Sequence, residues 1–130
     1  MRRTPGGPLP WLATLAALVA VGACSTPGEQ LPPAEAQLGD PDRGAALITD
    51  YGCGSCHVIP GLEQADGLVG PPLTSFGRRM YIAGNLPNNA ENLQYWIREP
   101  QDVEPGTAMP DLGVSRVDAR DIAAYLLTLE

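Results

Sequence analysis

The stretch CGSCH at residues 53–57 is the most informative part of this chain. Two cysteines in a C-x-x-C spacing, followed directly by a histidine, form the attachment signature of a c-type haem. The spacing has a physical reason, because two thiols three residues apart reach the two vinyl groups along one edge of a porphyrin. The adjacent His57 is thereby carried beneath the iron as its proximal ligand. We therefore predict one haem c, attached through Cys53 and Cys56.

The residue types in the chain argue against other uses of the same motif. A structural zinc needs four ligands, whereas the chain holds one histidine in total and only Cys24 besides the motif cysteines. A thioredoxin-like redox pair needs a βαβ context, of which the sequence has no sign. A plain disulfide between Cys53 and Cys56 would leave His57 without a role. Haem attachment is the reading that uses all three residues.

The second axial ligand is predicted to be a methionine. Met1 would leave with a leader peptide, so Met80 and Met109 remain. Met109 lies in PGTAMP at residues 105–110, a turn-rich loop that holds a thioether in a fixed place. Met80 looks like a helical residue at the surface or in packing. The alternative role for Met109 is filling a gap in the core.

Composition narrows the class of protein. The 130 residues allow one domain after removal of a leader, and only 5% of them are aromatic. A large buried cofactor would supply the missing apolar volume. The formal charge is −7 without any lysine, and losing Arg2 and Arg3 leaves six arginines against 15 acids, a charge of −9. This balance excludes a nucleic-acid partner and favours docking on a basic one, at a salt-sensitive rate.

The N-terminus is predicted to be a lipoprotein signal peptide over residues 1–23. Two arginines precede an apolar run at residues 11–23, which is too short to remain as a membrane-spanning helix. The run ends in VGAC, which resembles the lipobox of bacterial lipoproteins, with valine in place of the usual leucine. We predict cleavage before Cys24 and lipid attachment to it. The alternative is ordinary cleavage after Ala23, which leaves a free thiol.

Three segments are therefore predicted along the chain. Residues 1–23 are the signal peptide, residues 24–38 are the lipidated cysteine with a proline-rich tether, and residues 39–130 are the haem domain. A short arm packed on the domain is the alternative for the tether. The predicted location is outside the cytoplasm, in the periplasm or on the outer face of the cell membrane, with the domain held by lipid.

Helical patterns dominate residues 39–130, and the fold class is predicted to be all-α. Helices are expected from Pro41 towards Gly52, over residues 74–83, and over residues 90–99 up to a stop at Pro100. A last helix opens at Ser115, which forms a capping-box-like pair with the acid three residues later. No convincing strand is found.

Residues 39–130 resemble a class I cytochrome c. Within that class they are most similar to cytochrome domains attached to, or encoded with, bacterial haem–copper oxidases. The resemblance rests on several stretches that occur in one order: CGSCH at 53–57, VGPPL at 69–73, FGR at 76–78, ENL and WI within 91–100, PGT and MP within 105–110, and DIAAYL at 121–126.

The resemblance implies a small fold of three to five short helices with loops wrapped around one haem. It implies that the Pro71 carbonyl accepts a hydrogen bond from His57 Nδ1 and that Trp96 lines the pocket near Met109. The residues it offers for the haem propionates are Arg78, Tyr81 and Thr107.

The resemblance also concerns the helix crossing. It implies that Gly44 lets the first helix pass close to the last. Either Leu47 or Ile48 would then pack on Ile122 and Tyr125.

The function expected from the resemblance is one-electron transfer between membrane-bound respiratory complexes, a cytochrome oxidase or a quinol-oxidising complex, with an oxidase as the expected acceptor. The alternatives are a fixed electron-relay subunit of an oxidase or dehydrogenase complex, and a haem peroxidase, which would need a vacant sixth position. The lysines that ring the haem edge in mitochondrial relatives are absent, so a basic docking front is excluded.

Overall fold

The computed structural model describes residues 39–130, which form four α-helices and one two-stranded antiparallel sheet. The elements are α1 (Pro41–Asp50), β1 (Tyr81–Ile82), β2 (Leu86–Pro87), α2 (Ala90–Arg98), α3 (Pro100–Val103) and α4 (Arg116–Thr128), with 3₁₀ turns at Cys53–Ser55 and Phe76–Arg78. The mainly helical class is as predicted. The predicted signal peptide, Cys24 and the tether lie outside the described residues. No helix within 39–130 has the length and apolar content that crossing a membrane requires.

The helix ends follow local sequence signals. Asp40 caps α1, because its carboxylate accepts from two backbone N–H groups of the first turn, and Pro41 occupies the first helical position. Gly52, with φ of 72°, turns the chain after α1. Ser115 caps α4 by accepting from the Asp118 N–H at 3.1 Å. The Asp118 carboxylate accepts from the Ser115 hydroxyl, so the reciprocal half of a true capping box is missing.

The core lies where α1 crosses α4. Gly44 is buried at the crossing, and a Cβ added there would overlap the Asp121 carbonyl. Ile48 is 1% exposed and belongs to the buried core together with Ile122, which is 2% exposed. Leu47 is only partly buried against that core. Of the two residues that the sequence left open, Ile48 is therefore the fully buried one.

We expect Gly44→Ala to destabilise the folded domain by about 1–3 kcal/mol, because the new methyl group must push one helix backbone away from the other. Urea unfolding of the haem-loaded protein measures this free energy. Ala46, exposed on the same helix, provides the control: Ala46→Ser should change stability by about 0.5 kcal/mol or less. A Gly44→Ala protein as stable as the parent would show that the helices do not touch there.

A polar cluster ties the start of α1 to α4. Asp121 is 3% exposed, accepts from the Asp40 N–H at 3.0 Å, and pairs with Arg43. Arg43 also binds Asp118 at 2.5 Å, and the Tyr51 hydroxyl donates to Asp118 at 2.9 Å. Burial opposes ionisation of Asp121, but the bonds from Asp40 and Arg43 outweigh it and hold its pKa below the ordinary value.

The prediction of a helix over residues 74–83 is wrong, and so is the absence of strands. Ser75 has φ of 50°, a left-handed conformation that does not continue into a helix, and only the short turn Phe76–Arg78 follows. Ala83 and Gly84, with φ of 49° and 78°, reverse the chain so that β1 pairs with β2. Strands of two residues are too short to show the alternating pattern that predicts strands.

Pro100 does more than stop α2. It is the first residue of α3, where its missing N–H leaves no helical bond unmade, and its side chain is fully buried. The Glu104 N–H closes this single turn on the Pro100 carbonyl at 2.9 Å. The chain thus enters the loop at residues 105–110 from a fixed position.

Candidate haem site

A cavity of about 400 Å³ opens inside the helical core. Its walls are mainly apolar, formed by side chains such as Ile48, Ile59, Leu73, Phe76, Ile82, Leu93, Ile97 and Leu126. The volume lies within the roughly 300–1,000 Å³ usual for cofactor and ligand pockets. All but one of the predicted cofactor residues line it: Cys53, Cys56, His57, Pro71, Tyr81, Trp96, Thr107 and Met109.

The cysteine pair is presented by a tight turn after α1. The left-handed Gly52 leads into the 3₁₀ turn, in which the N–H groups of Cys56 and His57 both bond to the Cys53 carbonyl, at 3.2 and 3.1 Å. Cys53 and Cys56 are free thiols and half-buried. Burial raises the pKa of the Cys53 thiol. The cavity is therefore lined by two cysteine thiols beside an imidazole.

The His57 ring is held from two sides. Its Nδ1–H donates to the Pro71 carbonyl at 2.8 Å, which fixes the tautomer and leaves Nε2 as the basic nitrogen. Gly70 lies against the ring, where an added Cβ would come within 2.6 Å of Nδ1. The Gly70 N–H bonds to the Cys56 carbonyl at 2.8 Å, so the loop is attached to the same turn that carries the histidine.

Met109 and Met80 are in different surroundings. Met109 is half-buried and lines the cavity, whereas Met80 is 77% exposed and does not. The Thr107 N–H bonds to the Glu104 carbonyl at 3.0 Å, and Gly106 has φ of 85°, which together set the turn before Met109. The cavity wall thus offers one imidazole and one thioether.

Arg78, expected near the propionates, is exposed and does not line the cavity. Arg79 does line the cavity. Among the described residues that form its wall, Arg79 is the only arginine, and none is an aspartate or glutamate. The reason is the 3₁₀ turn, in which side chains at i and i+3 lie on the same side, so that Arg79 follows Phe76 inward while Arg78 points away. The Arg79 guanidinium sits 5.1 Å from the centre of the Phe76 ring and donates to the carbonyls of Pro72 and Thr74.

Sequence reasoning missed three residues that shape this site. Gly70 had a signal, because a glycine directly before two prolines suggests a close backbone approach. Arg79 had none that separated it from its neighbour. Gln101, which bonds to the loop of Met109, reads as an ordinary polar residue on a short helix.

The Cytochrome c family profile matches residues 41–130. The chain belongs to the cytochrome c family. It is 39% identical over 90 residues to cytochrome c oxidase subunit 2 of Alkalihalophilus pseudofirmus. This match covers 68% of the present chain and 25% of that protein. The subunit 2 proteins of Bacillus sp. PS3 and Bacillus subtilis are 36% and 32% identical, over 64% of this chain and 24% of each.

This cytochrome c spans about a quarter of the length of those relatives. Membership of the family means one covalently bound haem c and an electron-carrier role. The residues present fit that group, since two free cysteines, a histidine and a methionine share one apolar cavity. Cys53 and Cys56 are the pair that holds the haem.

Proposed function

We propose that this chain is a lipid-anchored monohaem cytochrome c that passes single electrons between membrane-bound respiratory complexes and delivers them to a terminal oxidase. One observation carries the electron-transfer assignment: the cysteine pair, His57 and Met109 converge on a single apolar cavity. If His57 and Met109 both bound the iron, they would leave no position for a substrate. A redox change would then alter no ligand bonds, and the protein would reorganise little.

The haem supplies a one-electron change of oxidation state, and the chain sets its environment. The bond to the Pro71 carbonyl would fix the tautomer and the orientation of the His57 ring as an iron ligand. As a ligand, the thioether of Met109 would raise the reduction potential relative to a second nitrogen ligand. Apolar walls exclude water, and Arg79, rather than Arg78, would supply positive charge for the haem carboxylates; Tyr81 and Thr107 line the same cavity.

The oxidase as acceptor is supported by the relatives, all of which are named cytochrome c oxidase subunit 2. The test is to reduce the purified protein, mix it with membranes that contain a terminal oxidase, and follow its reoxidation by absorption. We expect rapid reoxidation that cyanide blocks. Reoxidation no faster than in cyanide-treated membranes would rule out that acceptor.

A fixed relay subunit is the second candidate, because in the relatives the matching stretch is part of a longer oxidase subunit. Detergent solubilisation of the membranes at high salt separates the two possibilities. A shuttle is then recovered as a free lipid-anchored protein, whereas a fixed subunit purifies with its complex at constant stoichiometry.

The anchor and the location outside the cytoplasm are part of the proposal. They are supported by the apolar run at residues 11–23 and the VGAC stretch at its end. A lipid on Cys24 would keep the domain near its membrane partners and raise its effective concentration there.

We expect the Cys24→Ser protein to be exported and loaded with haem but to appear in the soluble fraction. Firm attachment needs two or more acyl chains, and this variant lacks the cysteine that would carry them. Its spectrum should match the parent, and its turnover with a membrane oxidase should fall. Ser25→Ala, which leaves the cysteine in place, should stay with membranes through a high-salt wash. Intact-mass measurement of the native mature protein decides the chemistry, since an unmodified Cys24 would contradict lipidation.

A further inference from the structure

Gln101 does not line the cavity, yet its side chain bonds to the loop that carries Met109 at three points. Its Nε2 group donates to the carbonyls of Thr107 and Met109, both at 3.0 Å. Its Oε1 atom accepts from the Gly106 N–H at 3.1 Å. Both donor hydrogens and the acceptor oxygen of this one amide therefore bond to the backbone of three residues, Gly106, Thr107 and Met109.

The backbone that carries Gln101 is held in place by its neighbour in α3. Gln101 is the second residue of α3, directly after the fully buried Pro100. The loop has little else to hold it: within 39–130, residues 105–110 make one backbone–backbone bond, from Thr107 to Glu104. A bond of 3.4 Å from the Met109 N–H to the Thr107 hydroxyl adds to it. Gln101 is thus the main connection between the loop and the helical frame.

We propose that Gln101 is the positioning residue that keeps Met109 at the iron, and that its loss opens the sixth position to added ligands. The inference rests on the proposed ligation by Met109. A thioether is a neutral, weakly held ligand, so its dwell time depends on how often the loop swings away. Gln101 restrains that motion by holding the carbonyl of the ligand residue itself.

The expected effect is local. Gln101 is exposed, so its hydrogen bonds exchange with bonds to water and each contributes little to global stability. Loop opening is a separate, lower-energy event than unfolding of the core. Removing the amide should therefore change ligand exchange much more than the melting temperature.

The test uses the oxidised, haem-loaded full chain. Imidazole is added, and loss of the near-infrared thioether-to-iron charge-transfer band is followed in time, with thermal unfolding measured in parallel. Gln101→Leu should speed the displacement about tenfold, equivalent to losing one or two modest hydrogen bonds. Gln101→Glu keeps the acceptor for Gly106 but loses both donors and sets a carboxylate oxygen against the carbonyls of Thr107 and Met109, so it too should displace faster than the parent.

Asp102→Asn is the matched control, since Asp102 is exposed on the same helix and its side chain bonds to none of the described residues. Its rate should equal that of the parent. Equal rates for Gln101→Leu, Gln101→Glu and the parent would overturn the proposal, and so would a melting temperature that falls in step with the rate. Absence of the band from the parent itself would show instead that the ligation, and with it the proposed function, is wrong.

Discussion

Met109→Ala is expected to abolish the thioether-to-iron band of the oxidised protein completely. Met109 is the methionine on the cavity wall, and Met80 is 77% exposed away from it, so no other described thioether can take the position. The reduced variant should also bind carbon monoxide readily, because its sixth position is open. The measurement is near-infrared absorption of the oxidised form and carbon monoxide titration of the reduced form.

Met80→Leu serves as the matched control and should leave the band intact. Persistence of the band in Met109→Ala would move the ligand to Met80. This pair of variants also separates an electron carrier from a haem peroxidase, because the peroxidase alternative requires a parent protein that already behaves like the Met109→Ala variant.

The double variant Cys53→Ala, Cys56→Ala is expected to lose covalent haem and, with it, most of its helical structure. The reason lies in the core, because many of its buried side chains also form the walls of the cavity, among them Ile48, Leu93 and Ile122. A domain of this size with few aromatic residues has little other apolar surface to bury. Circular dichroism and intact mass measure the two effects.

Ser55→Ala, in the same turn, is the control and should retain haem and helicity. A double cysteine variant that stayed folded, free of haem and with unchanged helicity would show that the cofactor is not needed as part of the core.

Residues with strong local signals were predicted well. The CGSCH stretch identified the attachment site without any structure, because its chemistry depends on spacing alone. Pro41 and Ser115 marked the starts of α1 and α4, since capping is decided within one turn. The apolar face that includes Leu93 and Ile97 placed α2, and both residues are buried.

Features that depend on contacts distant in sequence could not be predicted in the same way. The choice between Arg78 and Arg79 turned on a 3₁₀ turn where a helix had been expected. The hairpin of β1 and β2 depends on two left-handed residues, one of which is an alanine. The role of Gln101 appears only when α3 and the Met109 loop are seen together. Cys24, the signal peptide and the location of the protein stay predictions.

The central claim is that this cytochrome c carries one electron on a haem with His57 and Met109 as permanent axial ligands. A redox titration of the full-length holoprotein, followed by visible and near-infrared absorption, tests it most directly. We predict a single reversible one-electron transition between two six-coordinate, low-spin forms, with the thioether band present only in the oxidised form. An oxidised spectrum without that band, or a five-coordinate high-spin form in either oxidation state, would contradict the account.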